Sequence, residues 1–73
     1  MNEAIAAMID GPCIALLNRN GSKVGYASVA AMGADRWVNA CVNGNILVGT
    51  TERGMVVTWM LRDGSSPSLL SRR

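Results

Sequence analysis

The sequence contains no histidine and no phenylalanine, and its 73 residues include only two cysteines. Histidine is the side chain whose ordinary pKa best suits proton transfer near neutral pH, so the commonest general base is missing. The usual zinc site is excluded as well, because Cys13 and Cys41 are far apart and no Cys-x-x-C pair is present. These absences argue against metal chemistry, and we expect no cofactor.

Acidic residues are also scarce, with only five in the chain, at positions 3, 10, 35, 52 and 63. The pattern places them in separate segments, so no two are predicted to share a site, as catalysis by paired carboxylates requires. The serines and threonines have no evident neighbour that would activate a hydroxyl nucleophile. We therefore predict that the protein is not an enzyme and has no catalytic residues.

The two cysteines lie in apolar, strand-like contexts, which is typical of buried and unreactive thiols. The first residues carry Glu3 and Asp10, and the short apolar run between them has no basic flank, so no secretory signal is evident. We expect synthesis in the cytoplasm without a signal peptide, and free thiols in a reducing compartment. A Cys13–Cys41 disulfide is the alternative.

Charged residues make up only 16% of the chain, whereas apolar residues make up 49%. A chain this short buries only roughly 60% of the surface that its unfolded form exposes, so a single core is marginal. No apolar run approaches the roughly 20 residues of a membrane-spanning helix, and no membrane association is expected. The apolar excess instead predicts contact with protein, as a homo-oligomer or in a larger assembly.

The sequence pattern predicts one small β domain over residues 1–62 and a carboxy-terminal arm over residues 63–73. Residues 2–9 favour a short helix, since alanines recur and Gly11-Pro12 ends the segment. The tail after residue 62 is rich in Gly, Ser and Pro, which is typical of an extended arm. Strands are predicted over residues 13–18, 23–29, 36–42, 45–50 and 55–62. The fold class is therefore mainly β. A short amino-terminal helix precedes a five-stranded antiparallel meander, and a small barrel formed by curling of this meander is one alternative.

Two Asn-Gly pairs, at 20–21 and 43–44, mark the predicted hairpin tips, because a type I′ turn requires positive φ at both central residues. The predicted registers pair Leu17 with Val24, Ala15 with Tyr26, Ile14 with Ala27, Cys41 with Ile46, Ala40 with Leu47 and Asn39 with Val48. The later strands are apolar on both sides, whereas the strands of a sheet with one solvent-exposed face alternate apolar and polar residues. Both faces must be covered, so Trp37 and Trp59 are candidate contact residues, with burial in the core as the alternative.

A short helix followed by a five-strand meander with Asn-Gly in a hairpin resembles, in outline, the Sm-like RNA-binding proteins, which close into rings through edge strands. SH3-like and OB-like barrels fit the strand count equally well. Nucleic-acid binding is the corresponding alternative function. A single meander would bring Arg19, Lys23 and Arg62 to one end, and Tyr26 could stack on a base. The net charge of only +2 does not favour this alternative.

We predict a non-enzymatic structural or interaction protein, a small subunit or accessory piece of a larger protein assembly. A bacteriophage particle is the expected setting, with the chain as a capsid-decoration, cement or tail protein. A small inhibitor of one host protein is a second alternative. The carboxy-terminal arm is expected to dock on a neighbour, with Leu69 and Leu70 in an apolar groove and Arg72 and Arg73 pairing with acidic groups at its rim.

Overall fold

A computed structural model describes residues 4–29, 33–62 and 67–73. Within these ranges the chain is all β, with seven antiparallel strands in two sheets. The strands are β1 (Ala6–Asp10), β2 (Cys13–Leu17), β3 (Lys23–Ala27), β4 (Trp37–Asn43), β5 (Ile46–Thr51), β6 (Val56–Met60) and β7 (Ser68–Arg72). The predicted mainly β character is confirmed. None of the described residues belongs to a helix long and apolar enough to cross a bilayer.

The strands divide into sheet A, with the order β1-β2-β3, and sheet B, with the order β4-β5-β6-β7. The indole Nε1 of Trp37, at the start of β4, donates a hydrogen bond of 3.1 Å to the carbonyl oxygen of Pro12, just after β1. Strand β1 accordingly lies beside β4. The predicted single five-strand meander is not confirmed, because the chain changes sheets between β3 and β4. Division into two sheets lets sheet A cover one apolar face of sheet B.

Strand β1 replaces most of the helix predicted over residues 2–9. Gly11, with φ of 60°, reverses the chain in two residues, and Ala6–Asp10 then pairs with Cys13–Leu17. Helix propensities of ordinary residues differ by less than about 1 kcal/mol, and so short a helix is unstable alone. Pairing with the buried strand β2 therefore decides the conformation. Residues 2 and 3 of the predicted helix lie outside the described residues.

The first Asn-Gly pair lies in a turn, as predicted. Gly21, with φ of 81°, closes the β2–β3 loop, and the amide of Gly21 donates to the carbonyl of Asn18 at 3.0 Å. Ala15 pairs with Tyr26 and Ile14 with Ala27, as predicted. A bulge shifts the partner of Leu17 from the predicted Val24 to Lys23.

The second hairpin turns one residue later than predicted. Asn43 pairs with Ile46, so Gly44, with φ of 64°, is the first residue of the turn. Glycine adopts this backbone conformation without the steric cost that Asn43 would meet there. Each predicted pair is shifted by two residues, and Cys41 lies opposite Val48. Because side chains alternate along a strand, a shift of two residues does not by itself change the face of a side chain. The bulge between Trp37 and Asn39 does change it, and Trp37 faces the core together with Ala40 and Val42.

The core forms between the two sheets and contains Ile14, Leu16, Ala27, Trp37, Leu47, Val57 and Trp59. The ring centroids of Trp37 and Trp59 are 5.5 Å apart and the rings are tilted by 55°, a favourable aromatic arrangement. Gly49 on β5 faces this pair. A Cβ atom at Gly49 would lie 2.8 Å from Cζ3 of Trp37 and 2.8 Å from Cδ1 of Ile14. The missing side chain is what allows the Trp37 ring to pack across β5.

Where it is described, the predicted carboxy-terminal arm is strand β7, paired with β6 at the edge of sheet B. The amide of Arg73 donates to the carbonyl of Val56 at 2.9 Å, and the amide of Val56 donates back at 2.8 Å. Ordering a backbone costs about 1–2 kcal/mol per residue, which two leucines cannot offset. Backbone pairing within the same chain contributes what the apolar side chains lack. Residues 63–66 of the arm lie outside the described residues.

Candidate interaction surface

The two tryptophans proposed as contact residues lie in the core of the chain. Trp37 is 3% exposed and Trp59 is 2% exposed. The Trp37 indole is held further by its hydrogen bond to Pro12. Direct contact of either ring with a partner stays a prediction, and in this conformation neither ring has surface to offer.

Leu69 and Leu70 are the opposite case, since both lie at the surface of β7 with exposures of 54% and 51%. A bulge in the β6–β7 ladder explains why two adjacent leucines are exposed together. Thr58 pairs with Ser71 and Trp59 with Leu69, so Leu70 is an extra residue with no partner on β6. A bulge breaks the alternation of faces along a strand. We call Leu69 and Leu70 the leucine pair.

Other exposed apolar side chains are spread over the described surface. They are Ile5, Met8, Ile9, Tyr26, Val38 and Val56. Met8 and Ile9 are also neighbours in sequence, but they pair with Ala15 and Ile14 in a regular ladder, so they occupy opposite faces of sheet A. Scattered apolar residues are normal on protein surfaces, whereas contiguous ones mark interaction sites. The leucine pair is therefore the better candidate.

Arg72 and Arg73 follow the leucine pair and give this edge a positive charge. The Nε of Arg72 lies 3.3 Å from the sulfur of Met55, and the backbone of Arg73 is paired with Val56. β7 itself contains no acidic residue. The predicted pairing of both guanidinium groups with acidic groups of a partner stays a prediction.

Asp35 joins two loops of the chain. Its Oδ1 accepts hydrogen bonds from the backbone amides of Arg36 at 2.9 Å and Arg53 at 3.1 Å. Desolvation is the largest single influence and raises the pKa of this carboxyl. Hydrogen bonds from Thr51, Arg53 and Arg36 and the charge of Arg53 together outweigh desolvation, so the pKa lies below its ordinary value of 3.8. The role of Asp35 in this arrangement is to hold the loops together.

The remaining described acids of the predicted set have separate partners. Asp10 forms a salt bridge of 3.2 Å with Lys23, and Glu52 lies 3.8 Å from the Nε of Arg36. The hydrogen bond and charge of Asp10 raise the pKa of Lys23. Among the described residues, no group of three or more cysteine and acidic side chains could hold a metal ion. Glu3 and Asp63 lie outside the described residues.

The basic end proposed for nucleic-acid binding depended on a single meander. Arg19 and Lys23 belong to the β2–β3 hairpin of sheet A, whereas Arg62 follows β6 of sheet B. Lys23 is neutralised in part by Asp10. Tyr26 is exposed on sheet A, beside Lys23. The division into two sheets removes the reason for expecting these cations at one end.

The two cysteines are free in the structure, with Cys13 partly buried and Cys41 exposed. The prediction that both thiols are buried is therefore wrong for Cys41. It lies opposite Val48 on the face of sheet B that points away from the core. The apolar neighbours of Cys41 in the sequence suggested that it is buried. A bulge between Trp37 and Asn39 changes which residues of β4 face inward, and Cys41 faces outward.

Sequence reasoning proposed Leu69 and Leu70 as contact residues, which stays a prediction, and it missed their setting on an edge strand. The available signal was the length of the segment from Pro67 to Arg73, which is enough for one strand. The chain matches no protein-family model, no curated protein and no solved structure.

Proposed function

We propose that this protein is a non-enzymatic structural or interaction protein, a small subunit or accessory piece that joins a larger protein assembly through β7. The observation that carries the proposal is the half-exposed leucine pair on an edge strand. In the described part of the chain, β7 has a strand neighbour on one side only. An edge strand presents backbone donors and acceptors to another chain, and apolar side chains along it add favourable burial.

The polar groups of the described chain support a binding role over a chemical one. Asp10, Asp35 and Glu52 each contact a different basic side chain or backbone amide, and all three serve local structure. The two large aromatic rings are used in the core. Among the exposed apolar residues of the described chain, the leucine pair combines two adjacent side chains with an unpaired strand edge.

A bacteriophage particle is the assembly that we propose, with the chain as a capsid-decoration, cement or tail protein. The support is the small size, the high apolar content and the exposed edge, because small domains gain stability by packing on neighbours. Mass spectrometry of purified particles from cells that carry the gene tests this setting. Detection of the chain in stoichiometric amounts supports it.

The contact surface is tested by point substitution, because deleting residues 64–73 would remove a strand from sheet B. The variant is Leu70→Lys, and the matched control is Val38→Lys, since Leu70 and Val38 are both 51% exposed. Circular dichroism and thermal melting verify that both variants fold.

The assay is density-gradient sedimentation of the tagged full-length chain with the assembly. The parent chain and Val38→Lys are expected in the large-particle fractions, and Leu70→Lys in the low-mass fractions. Equal sedimentation of all three contradicts the proposed surface. Recovery in fixed ratio with one host protein would indicate that the chain is an inhibitor of that protein. Salt-sensitive retention on nucleic acid would indicate the nucleic-acid-binding alternative.

A further inference from the structure

We propose that the occupant of the β7 edge is a second copy of this chain, with the two β7 strands antiparallel. Sheet B of each copy has four strands, so the pairing forms one continuous sheet of eight. The inference rests on the proposed function, because it names the partner of the same edge.

Self-complementarity of the β7 sequence is the first argument. The segment Ser68-Leu69-Leu70-Ser71 reads identically in both directions. In an antiparallel pair related by a two-fold axis between the leucines, each Leu69 faces Leu70 of the other copy and each Ser68 faces Ser71. An interface between identical subunits with two-fold symmetry requires this property, because each residue must match its counterpart in reverse order. Binding to an unrelated protein does not require a segment that reads the same in both directions.

Charge placement is the second argument and selects the antiparallel direction. In this register Arg72 lies opposite Pro67 of the other copy. The level of Arg72 is thus five residues from that of its counterpart, or about 16 Å along the strands. This exceeds the screening length of about 8 Å at physiological salt. A parallel, in-register pair would instead place the two Arg72 side chains about 5 Å apart.

The edge strands β1 and β4 lie beside each other, so the outer edges of the two sheets are β3 and β7. Of these two, β7 is better suited to pairing. β3 begins with Lys23, which is held by Asp10, and has Gly25 at its centre. A charged residue and a central glycine both weaken pairing of an edge. β7 has the leucine pair at its centre, and its charges follow at one end. The bulge in β7 leaves both leucines exposed at this edge.

Two measurements on the purified full-length chain test the pairing. Sedimentation-equilibrium ultracentrifugation should show a concentration-dependent monomer–dimer equilibrium for the parent chain and for Val38→Lys. Leu70→Lys should raise the dissociation constant at least about tenfold, since it brings a charge against Leu69 of the other copy. A parent chain that is monomeric at every accessible concentration overturns the inference.

Cysteine cross-linking then tests the register. Leu69→Cys and Leu70→Cys are made separately in a chain with Cys13→Ser and Cys41→Ser, and circular dichroism verifies the fold. Residues directly opposite in an antiparallel pair are about 4.5–5.5 Å apart between Cα atoms, which suits a disulfide. A mixture of the two variants should therefore cross-link under mild oxidation, and each variant alone should do so much less. Efficient cross-linking of each variant with itself, with no disulfide between the two different variants detected by mass spectrometry of the mixture, shows parallel pairing and overturns the antiparallel arrangement.

Failure of this inference differs from failure of the proposed function. A monomeric chain that still sediments with the large assembly through Leu70 retains the proposed function and loses the second copy as partner. A dimer that is absent from every large particle retains the second copy as partner and loses the proposed function.

Discussion

Replacement of Gly49 by alanine should destabilise the protein, because the added methyl group meets the core. A Cβ atom there would lie 2.8 Å from Cζ3 of Trp37, 3.1 Å from Cε3 of the same ring and 2.8 Å from Cδ1 of Ile14. The end of an isoleucine side chain can rotate away. The indole cannot easily do so, because its Nε1 is fixed by the hydrogen bond to Pro12 and its ring packs against Trp59.

The magnitude follows from two opposing effects. Overfilling a packed core costs about 1–3 kcal/mol. Replacing glycine by alanine also reduces the entropy of the unfolded chain, which stabilises the fold by about 0.4–1 kcal/mol. The mid-range values of the two effects give a net loss for Gly49→Ala of roughly 1.3 kcal/mol. For a domain of this size each 1 kcal/mol shifts the melting temperature by about 4–8 °C, so we expect a decrease of roughly 5–10 °C.

Gly25→Ala is the matched control, since Gly25 is also a strand glycine of the same domain. A Cβ atom there would meet Cδ1 of Leu16 at 3.6 Å, an ordinary contact. Only the entropy effect remains, and this variant should be as stable as the parent chain or slightly more stable. Thermal and urea unfolding followed by circular dichroism measure both variants. A Gly49→Ala variant at least as stable as Gly25→Ala would contradict the predicted clash with the core.

Three further predictions test the core, the acid dependence and the thiols. Leu47→Ala should cost about 2–5 kcal/mol, because this side chain is fully buried, whereas Val48→Ala on the outer face should cost clearly less, as urea midpoints will show. The pKa of Asp35 is lowered in the folded state, so its contribution to stability is present above the ordinary value of 3.8 and is lost as pH falls through the lowered pKa. Urea midpoints of the parent chain should therefore fall across this acid range, and those of Asp35→Asn should fall less; parallel pH profiles would count against the role of this carboxyl. Native-state alkylation followed by mass spectrometry should modify exposed Cys41 before partly buried Cys13, with both thiols reacting after denaturation; the failure of both to react would indicate a disulfide.

Five of the seven strands were recognisable because local rules apply to them directly. Apolar and β-branched runs separated by glycine turns locate β2 to β6 within one or two residues. The two ends of the chain were misassigned for a different reason. Alanine-rich residues 6–10 and the polar tail with its leucine pair have weak intrinsic preferences, so each takes the conformation of the strand that it pairs with.

The sequence alone established that the chain is mainly β and where its turns lie to within one residue, because backbone preferences at glycine and the two-residue period of strands are local properties. Only the tertiary structure decided that there are two sheets, that Trp37 and Trp59 are core residues, and that Cys41 and the leucine pair lie at the surface. These outcomes depend on contacts between residues distant in sequence, such as Trp37 with Pro12 and Gly49 with Ile14. A bulge of one residue in β4 or β7 changes which side chains face outward. Its position is set by packing against the neighbouring strand rather than by local preference.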